Sequence, residues 1–315
     1  MKGNTLRKKF EGAMLGCALG DAIGELAFKY RHRKTLENKI DALDLLVFTD
    51  DTAMAIALAE SLIKMKAIDQ EDIGNTFAKH YLKEPWRGYA AGPPTIFAMV
   101  ADSKISYVDA AKRLYGGEGS FGNGAAMRIV PVGLRFYDLE DLYNKAAATA
   151  EVTHAHPVGK DGAAIQALAI AQAVKAEPHE NLDQEAFLDM LISSARTREI
   201  RKKLTLVDKL IRDNAPPQKA ARELGKSVAV HESMPFSLYS FLKNHQSFEE
   251  CLFCAVLHGG DRDTLGAMAC SISGAYLGVN KIPEKWLTKL ERREYIMDLG
   301  KKLFLSKIST QDPKK

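Results

Sequence analysis

The stretch FEGAMLGCALGDAIG, residues 10–24, decides the fold. Its glycines Gly12, Gly16 and Gly20 recur every four residues, a spacing that places them on one face of an α-helix. A face without side chains lets a neighbouring backbone approach closely. We therefore predict that this segment is a central helix, with a second helix packed tightly against its glycine face.

The rest of the chain has mostly helical periodicity. Alanine-rich segments recur at residues 52–65, 146–152, 162–175 and 264–277, and strand signals are few, although DLLVF at 44–48 is compatible with a short extended piece. The polar region 177–217 contains two expected helices, at 185–193 and 196–211, and no domain boundary. We predict an all-α, compact, single-domain helical bundle over residues 1–305, with a frayed tail at 306–315.

The composition excludes several classes of protein. The chain has 315 residues, of which 46% are hydrophobic and 27% charged, a balance typical of a globular protein and not of a disordered one. The net charge is only +4 and the basic residues are scattered, so nothing indicates sequence-specific nucleic-acid binding. No apolar segment reaches the roughly 20 residues needed to cross a membrane. We expect a cytoplasmic monomer.

Four cysteines are too few to staple a chain of this length with disulfides. Cys251 and Cys254 form a C-x-x-C pattern, but LF and AVL flank it and no second pair or histidine cluster stands at zinc spacing. We interpret these cysteines as packing residues of a buried helix.

The first group of residues suited to chemistry is FTDDT, residues 48–52, which leads directly into the helical pattern AMAIALAESL. Thr49, Asp50 and Asp51 therefore lie at a helix N-terminus. Carboxylate and hydroxyl oxygens are the ligands that Mg²⁺ selects, but the same residues are also common helix caps. This segment alone leaves both interpretations open.

A second group has the same design. HGGDRDT, residues 258–264, precedes the small-residue helix LGAMACSISGAYLG and again presents two aspartates and a threonine at a helix start. Carboxylates brought together at two helix ends repel one another unless a cation lies between them. We therefore predict a metal site, with two Mg²⁺ ions held by both groups.

Between these groups lies a glycine-dense loop, YGGEGSFGNGAAMR at residues 115–128. Free N–H groups of such a loop at a helix N-terminus bind phosphate oxygens. The loop lacks the Lys-Ser/Thr of a Walker motif, so the standard nucleotide fingerprints do not apply. Tyr115 and Phe121 are placed to enclose a base, or else to anchor the loop to the core. His154 is expected to contact the ligand, and WRGYAAGPP at 86–94 to form a pocket wall.

The order of motifs GDAIG, TDDTAM, RGYAAG, GSFGNGAAMR, THAHPVG, ESMPFSLYSFL and GGDRDT resembles the ADP-ribosylglycohydrolase family. The resemblance runs from Phe10 to Leu277 and is closest to the ADP-ribosylserine hydrolase branch. It implies an all-α fold with a binuclear magnesium centre. It also implies hydrolysis of the bond between ADP-ribose and its acceptor, with an ADP-ribosylated protein or a small ADP-ribose conjugate as substrate.

The resemblance also implies roles for individual residues. The metal ligands would be Thr49, Asp50, Asp51, Asp261, Asp263 and Thr264. Of these, Asp51 or Asp261 would be the catalytic residue that activates water. The ligand-binding residues would be Tyr115, Gly119, Ser120, Phe121, Gly122, Asn123, Gly124, His154 and Val228.

One position departs from the family pattern. The first motif usually continues to a glutamate seven residues after its aspartate, and here that position is Phe28. Glu25 lies about one helical turn earlier and would substitute only if the backbone is rearranged. The departure leaves an alternative open, namely an ADP-ribose-binding module that has weak or no turnover.

Overall fold

Helices account for the regular structure of the protein. The computed structural model describes residues 3–178 and 181–311, and within these ranges it contains eighteen α-helices, two short 3₁₀ turns and two isolated β-bridges. The helices are α1 (Gly3–Lys29), α2 (Arg33–Ala42), α3 (Asp50–Met65), α4 (Gln70–Lys83), α5 (Gly92–Ser103), α6 (Tyr107–Arg113), α7 (Gly124–Met127), α8 (Val130–Arg135), α9 (Leu142–Glu151), α10 (Pro157–Lys175), α11 (Gln184–Ser194), α12 (Arg198–Arg212), α13 (Pro217–Leu224), α14 (Val230–Lys243), α15 (Phe248–Val256), α16 (Arg262–Leu277), α17 (Glu284–Leu287) and α18 (Arg293–Gln311). The predicted all-α class is confirmed.

The glycine face of α1 packs against α16, as the spacing predicts. The two helices run antiparallel, so that Gly12 lies opposite Gly274, and Gly24 lies opposite Asp263. A Cβ added at Gly12 would lie 2.6 Å from the carbonyl oxygen of Gly274, well inside van der Waals contact. Only glycine permits this approach of two backbones. The pair forms the centre of one bundle, and α10, α14, α15 and α18 pack around it.

The DLLVF segment is extended, as expected. Leu46 donates its N–H to the carbonyl of Lys289 at 2.7 Å, and its own carbonyl accepts from the N–H of Glu291 at 3.0 Å. The side chains alternate, because Leu46 and Phe48 are buried while Leu45 and Val47 are 52% and 51% exposed. The side chains on one face of this segment therefore belong to the core, and those on the other face line an open groove.

The cysteines lie in the core, as their sequence context predicts. All four are buried and free, and the thiol of Cys251 on α15 faces the carbonyl of Ala269 on α16 at 3.7 Å. The two helices expected within 177–217 are α11 and α12, each within two residues of the expected bounds. At the C-terminus α18 continues through Gln311, which overlaps the expected frayed tail from residue 306. Residues 312–315 lie outside the described residues, so that boundary stays a prediction.

Candidate active site

Two helix N-termini meet at one cleft. Helix α3 begins at Asp50 and α16 at Arg262, and the side chains of both starts line a cavity of about 230 Å³. Five of the six expected metal ligands line it: Asp50, Asp51, Asp261, Asp263 and Thr264. The sixth, Thr49, lines an adjoining groove that shares Asp263 and Gly88 with the cleft. The structure therefore brings together two groups that lie far apart in the sequence.

Asp21 on α1 holds the start of α3 in place. Its carboxylate accepts from the backbone N–H of Thr49 and of Thr52, both at 3.0 Å, and from the hydroxyls of the same two threonines at 2.8 and 2.5 Å. Thr49 also caps α3, because its hydroxyl accepts from the N–H of Asp51. The capping interpretation of Thr49 is thus correct, and it is compatible with a role at the cleft. Sequence reasoning missed this role of Asp21, whose only signal was a carboxylate inside an apolar glycine-rich helix.

The carboxylates of the cleft are poorly solvated and face one another. Burial, and then the charge of Asp21, raises the pKa of Asp50 to about 7. Burial, and then the charge of Asp261, raises the pKa of Asp263 to about 8. Asp51 is 2% exposed, its pKa is raised well above its usual range for the same reasons, and its Oδ1 is buried without a hydrogen-bond partner. Such a cluster calls for positive charge within the cleft.

The donor set fits a hard divalent cation. Within residues 3–178 and 181–311, no three His, Cys, Asp or Glu side chains lie close enough together to chelate a metal ion. Mg²⁺ does not require such a cage, since it commonly keeps several waters and takes one or two carboxylates together with substrate oxygens. The carboxylate and hydroxyl oxygens, and the unpaired Oδ1 of Asp51 in particular, meet that requirement.

The glycine-rich loop is fixed between the cleft and α14. Phe121 and Asn123 form backbone hydrogen bonds with Val230 and Val228 at 3.1 and 2.8 Å, which places the loop in an isolated bridge. The amide of Asn123 also donates to Asp261 Oδ2 at 2.6 Å. The loop is therefore hydrogen-bonded directly to one of the acidic helix starts.

Most of the expected ligand-binding residues lie around the same cleft. Its lining includes Tyr115, Ser120, Gly122, Asn123, Gly124, His154 and Val228. Gly119 and Phe121 lie beside this lining, and the half-exposed Phe121 ring packs edge-on against His156, with 5.4 Å between ring centroids. Gly119 has a positive φ of 75°, and a Cβ there would lie 2.7 Å from the backbone nitrogen of His156. The tight loop therefore depends on glycine at this position.

A short relay fixes the protonation of His154. The Arg128 guanidinium, which only donates, gives a hydrogen bond to the Thr153 hydroxyl at 2.6 Å, and that hydroxyl lies 2.7 Å from His154 Nδ1. Burial, and then the charge of Arg128, lowers the pKa of His154 to about 3, so its imidazole is neutral. We infer that the Thr153 hydroxyl donates to Nδ1, which leaves the ring proton on Nε2, directed at the glycine loop. His154 is then a hydrogen-bond donor to the cleft.

The groove next to the cleft is the larger of the two cavities, at about 580 Å³. Phe28 and Glu25, at the end of α1, both line it, and so does Trp86. The neighbouring Arg87 is almost fully buried and donates to the carbonyl of Phe48 at 2.8 Å and to Glu291 at 2.7 Å. The segment 86–94 is therefore a wall of both cavities, as expected, and Arg87 ties it to the start of α3.

The motifs, the fold and the cleft can be compared with known proteins. The family model described as ADP-ribosylglycohydrolase matches residues 2–313. The chain belongs to the ADP-ribosylglycohydrolase family. As a member it is an enzyme that hydrolyses linkages to ADP-ribose, and the resemblance inferred from the motifs is confirmed.

Individual relatives of this glycohydrolase agree with that assignment. Human ADP-ribosylhydrolase ARH3 is 32% identical over 91% of this chain and 90% of its own length. The ADP-ribosyl-[dinitrogen reductase] glycohydrolase of Rhodospirillum rubrum is 30% identical over 93% of this chain and 94% of its own. A solved ADP-ribosylglycohydrolase-related protein complex has the same fold, with a TM-score of 0.73 over 96% of this chain and 99% of that chain, at 23% identity. None of the described helices is both long and apolar enough to cross a bilayer.

Proposed function

We propose that this glycohydrolase is magnesium-dependent and cleaves the glycosidic bond between ADP-ribose and an acceptor, either a protein side chain such as serine or a small conjugate. One observation carries the proposal. Two helix starts gather four aspartates around one cleft, three of them half-buried and Asp51 buried, and the Oδ1 of Asp51 has no hydrogen-bond partner. Thr49, Asp50, Asp51, Asp261, Asp263 and Thr264 would hold two Mg²⁺ ions.

The remainder of the cleft suits ADP-ribose. The loop at 119–124 would bind the diphosphate and ribose through its backbone N–H groups, with His154 donating from Nε2. Tyr115 is 66% exposed and Val228 is 64% exposed, and both line the cleft, so they offer free apolar surface at its rim. These two side chains and that of Phe121 would enclose the adenine.

Hydrolysis needs a water molecule oriented at the anomeric carbon of the distal ribose. Asp51 or Asp261 would accept a proton from this water as its oxygen bonds to the anomeric carbon. The glycosidic bond breaks in the same step, and the acceptor group takes up a proton from solvent, which balances the proton that the aspartate later releases. The amide of Asn123 donates a hydrogen bond to one carboxylate oxygen of Asp261, and this bond orients the other oxygen. When bound, Mg²⁺ supplies positive charge that stabilises the negative charge developing on the reacting oxygens.

Phe28 bears on the alternative function. The side chain that stands at the position of the family glutamate is 40% exposed on the groove, and Glu25 lines the same groove one turn away. The groove therefore has a carboxylate, that of Glu25, although it lies one helical turn away from the position of the family glutamate. If Glu25 does not replace the missing glutamate, the protein would bind ADP-ribose with weak turnover or none.

The test is ADP-ribose release from serine-linked and arginine-linked ADP-ribosyl peptides, with Mg²⁺ and with EDTA. Release that EDTA abolishes supports the proposal and identifies the linkage. We expect Asp50→Ala and Asp263→Ala each to reduce release at least about 100-fold, while Asp102→Ala, at an exposed position on α5, retains it. Full turnover by the first two variants in chelator-treated protein would refute the metal assignment.

The variant Phe28→Glu separates the two functions. If the wild type binds ADP-ribose without releasing it from either peptide, and Phe28→Glu gains release, the fold serves binding in this chain. If Glu25→Gln abolishes release by the wild type, Glu25 has taken the role of the missing residue.

The setting of the protein is also proposed. Four buried free cysteines are consistent with a reducing, cytoplasmic compartment. We expect a monomer without sequence-specific nucleic-acid binding.

A further inference from the structure

The groove beside the cleft lies where the acceptor must leave. It meets the cleft at Gly88 and Asp263, and Thr49 lies on its wall. Under the proposed function, on which this inference rests, ADP-ribose fills the cleft and its anomeric carbon lies at the acidic helix starts. Whatever is bonded to that carbon then projects past Asp263 into the groove.

The walls of this groove are apolar and exposed. Four large hydrophobic side chains on it are open to solvent: Phe28 at 40%, Leu45 at 52%, Val47 at 51% and Trp86 at 73%. Exposed apolar side chains gathered on one concave surface are typical of a ligand or partner site, whereas scattered ones are not.

Few charges on these walls are free to recognise a charged acceptor. Arg87 is bonded to Glu84 and Glu291, and its side chain is 3% exposed. Asp263 belongs to the acidic cluster of the cleft. Glu25 is the remaining charged side chain among the residues that line the groove. The groove therefore offers much apolar surface, one free carboxylate and no free cation among its lining residues, which favours an apolar acceptor over a phosphate.

The walls are also held in place before any ligand arrives. Leu45 and Val47 point outward because Leu46 is fixed by its two hydrogen bonds to the 289–291 backbone. Trp86 adjoins Arg87, whose guanidinium lies 4.2 Å from the centre of the Phe48 ring. A surface whose backbone is already fixed binds a ligand at a lower entropic cost than one that must first become ordered.

We propose that this groove is the acceptor subsite of the enzyme, and that it selects ADP-ribosyl conjugates with an apolar, preferably aromatic, group directly beyond the scissile bond. Trp86, Val47, Leu45 and Phe28 are its specificity-determining residues. The aromatic group belongs either to a side chain beside the modified residue of a peptide or to the aglycone of a small riboside.

The experiment compares two matched pairs of substrates. The first pair is an ADP-ribosylserine peptide with phenylalanine on both sides of the serine and its counterpart with glycine there. The second pair is benzyl ADP-riboside and methyl ADP-riboside, whose alcohol leaving groups have similar acidity. We expect the aromatic member of at least one pair to have a kcat/KM about tenfold higher, mainly through a lower KM, which corresponds to about 1.4 kcal/mol. The pair that shows the preference identifies the source of the aromatic group.

Variants test whether the groove is responsible. Trp86→Ala and Val47→Ser should each bring the ratio of aromatic to small substrate towards one. Leu82→Ala removes a side chain that is 77% exposed at the end of α4, outside the groove, and should leave the ratio unchanged. Equal kcat/KM within both pairs, or a ratio that survives in both groove variants, would overturn the proposal while leaving the hydrolase function intact.

A binding readout covers the case in which no conjugate is cleaved. The protein has two tryptophans, and Trp286 is buried at 2% exposure, so emission changes on ligand binding report on Trp86. Benzyl ADP-riboside should shift this emission and bind about tenfold more tightly than ADP-ribose. Tighter binding of the aromatic conjugate with an emission shift, but without turnover, would count against the proposed catalysis and support the groove, whereas equal affinity for the two ligands would refute the groove.

Discussion

The contact between Gly24 and Asp263 allows a quantitative test of how the α1–α16 pair supports the site. A Cβ added at Gly24 would lie 2.6 Å from Asp263 Cα and 2.8 Å from Arg262 C, where ordinary contact begins at 3.4 Å. Both neighbours are backbone atoms, so no side-chain rotation relieves the clash. In Gly24→Ala the start of α16 must therefore move by about 0.8 Å, the shortfall from ordinary carbon contact.

The expected loss of stability follows from two opposing terms. Overpacking of this kind costs about 3 kcal/mol, at the upper end of the usual range, because backbone meets backbone. Replacing glycine by alanine within a helix returns about 1 kcal/mol. The net loss of about 2 kcal/mol should lower Tm by about 3 °C for a chain of this size.

Activity should fall further than stability alone explains, because the displaced atom belongs to a proposed metal ligand. A shift approaching 1 Å at a reacting site costs up to about 100-fold, and we expect a fall of about 10- to 100-fold in kcat/KM. The matched control is Gly12→Ala, which creates a similar clash with Gly274 about 18 Å away along α1. It should lower Tm comparably and leave the kcat/KM of the folded protein unchanged.

A second control is Gly3→Ala, because a Cβ at Gly3 meets nothing within 4 Å and should change neither quantity. The assays are thermal unfolding in EDTA and ADP-ribose release in Mg²⁺, both on purified protein. The reasoning fails if Gly24→Ala is as stable as the wild type, or if its kcat/KM equals that of Gly12→Ala.

Three further predictions concern the relay, a buried lysine and the cysteines. Thr153→Val should raise the Kd for ADP-ribose about tenfold, because His154 loses the hydrogen bond that fixes its tautomer. The control is Thr149→Val, which also replaces a buried threonine and should leave this Kd unchanged. Calorimetric titration measures both Kd values, and equal effects of the two variants would refute the relay. Burial lowers the pKa of Lys9 to about 8, from 10.5, so between these values the unfolded chain binds more protons and stability rises with pH. The free energy of unfolding, measured in urea, should therefore rise for the wild type relative to Lys9→Met by on the order of 1–3 kcal/mol between pH 8 and 10.5. A difference between the two proteins that does not change with pH would contradict this prediction. Burial raises the pKa of the Cys254 thiol to about 12 and those of Cys17 and Cys270 well above their usual range, so Ellman's reagent should label none of these thiols until the chain is denatured.

Local patterns were enough to predict the architecture. The spacing of Gly12, Gly16 and Gly20 predicts a close helix pair because the period of a helix is fixed, and a partner with small residues was visible at 265–278. The acidic helix starts were likewise visible, since a run of polar oxygens before an apolar helix is a local signal.

Features that depend on the tertiary fold could not be predicted. Asp21 organises Thr49 and Thr52 across a separation of 28 and 31 residues, and no spacing rule connects them. In the sequence, Arg128 is only the last residue of the glycine-rich motif. Its burial, its position facing Asp50 and its hydrogen bond to Thr153 in the relay to His154 could not be predicted. The groove is assembled from four segments of the chain, three of which supply its apolar side chains, and this surface exists only in the folded molecule.

The packing of α1 on α16 also has a consequence for how the protein is made. Gly12 and Gly24 are synthesised well before the backbone that covers them, because Gly274 and Asp263 lie 262 and 239 residues later in the chain. At about 5–20 residues per second, the ribosome takes roughly 10–50 s to deliver that partner. During this interval α1 has no close-packed neighbour, and closing so long a loop is a slow step. Nascent chains that lack α16 should therefore depend on chaperones, and translation arrested before α16 should yield fragments that have no active site.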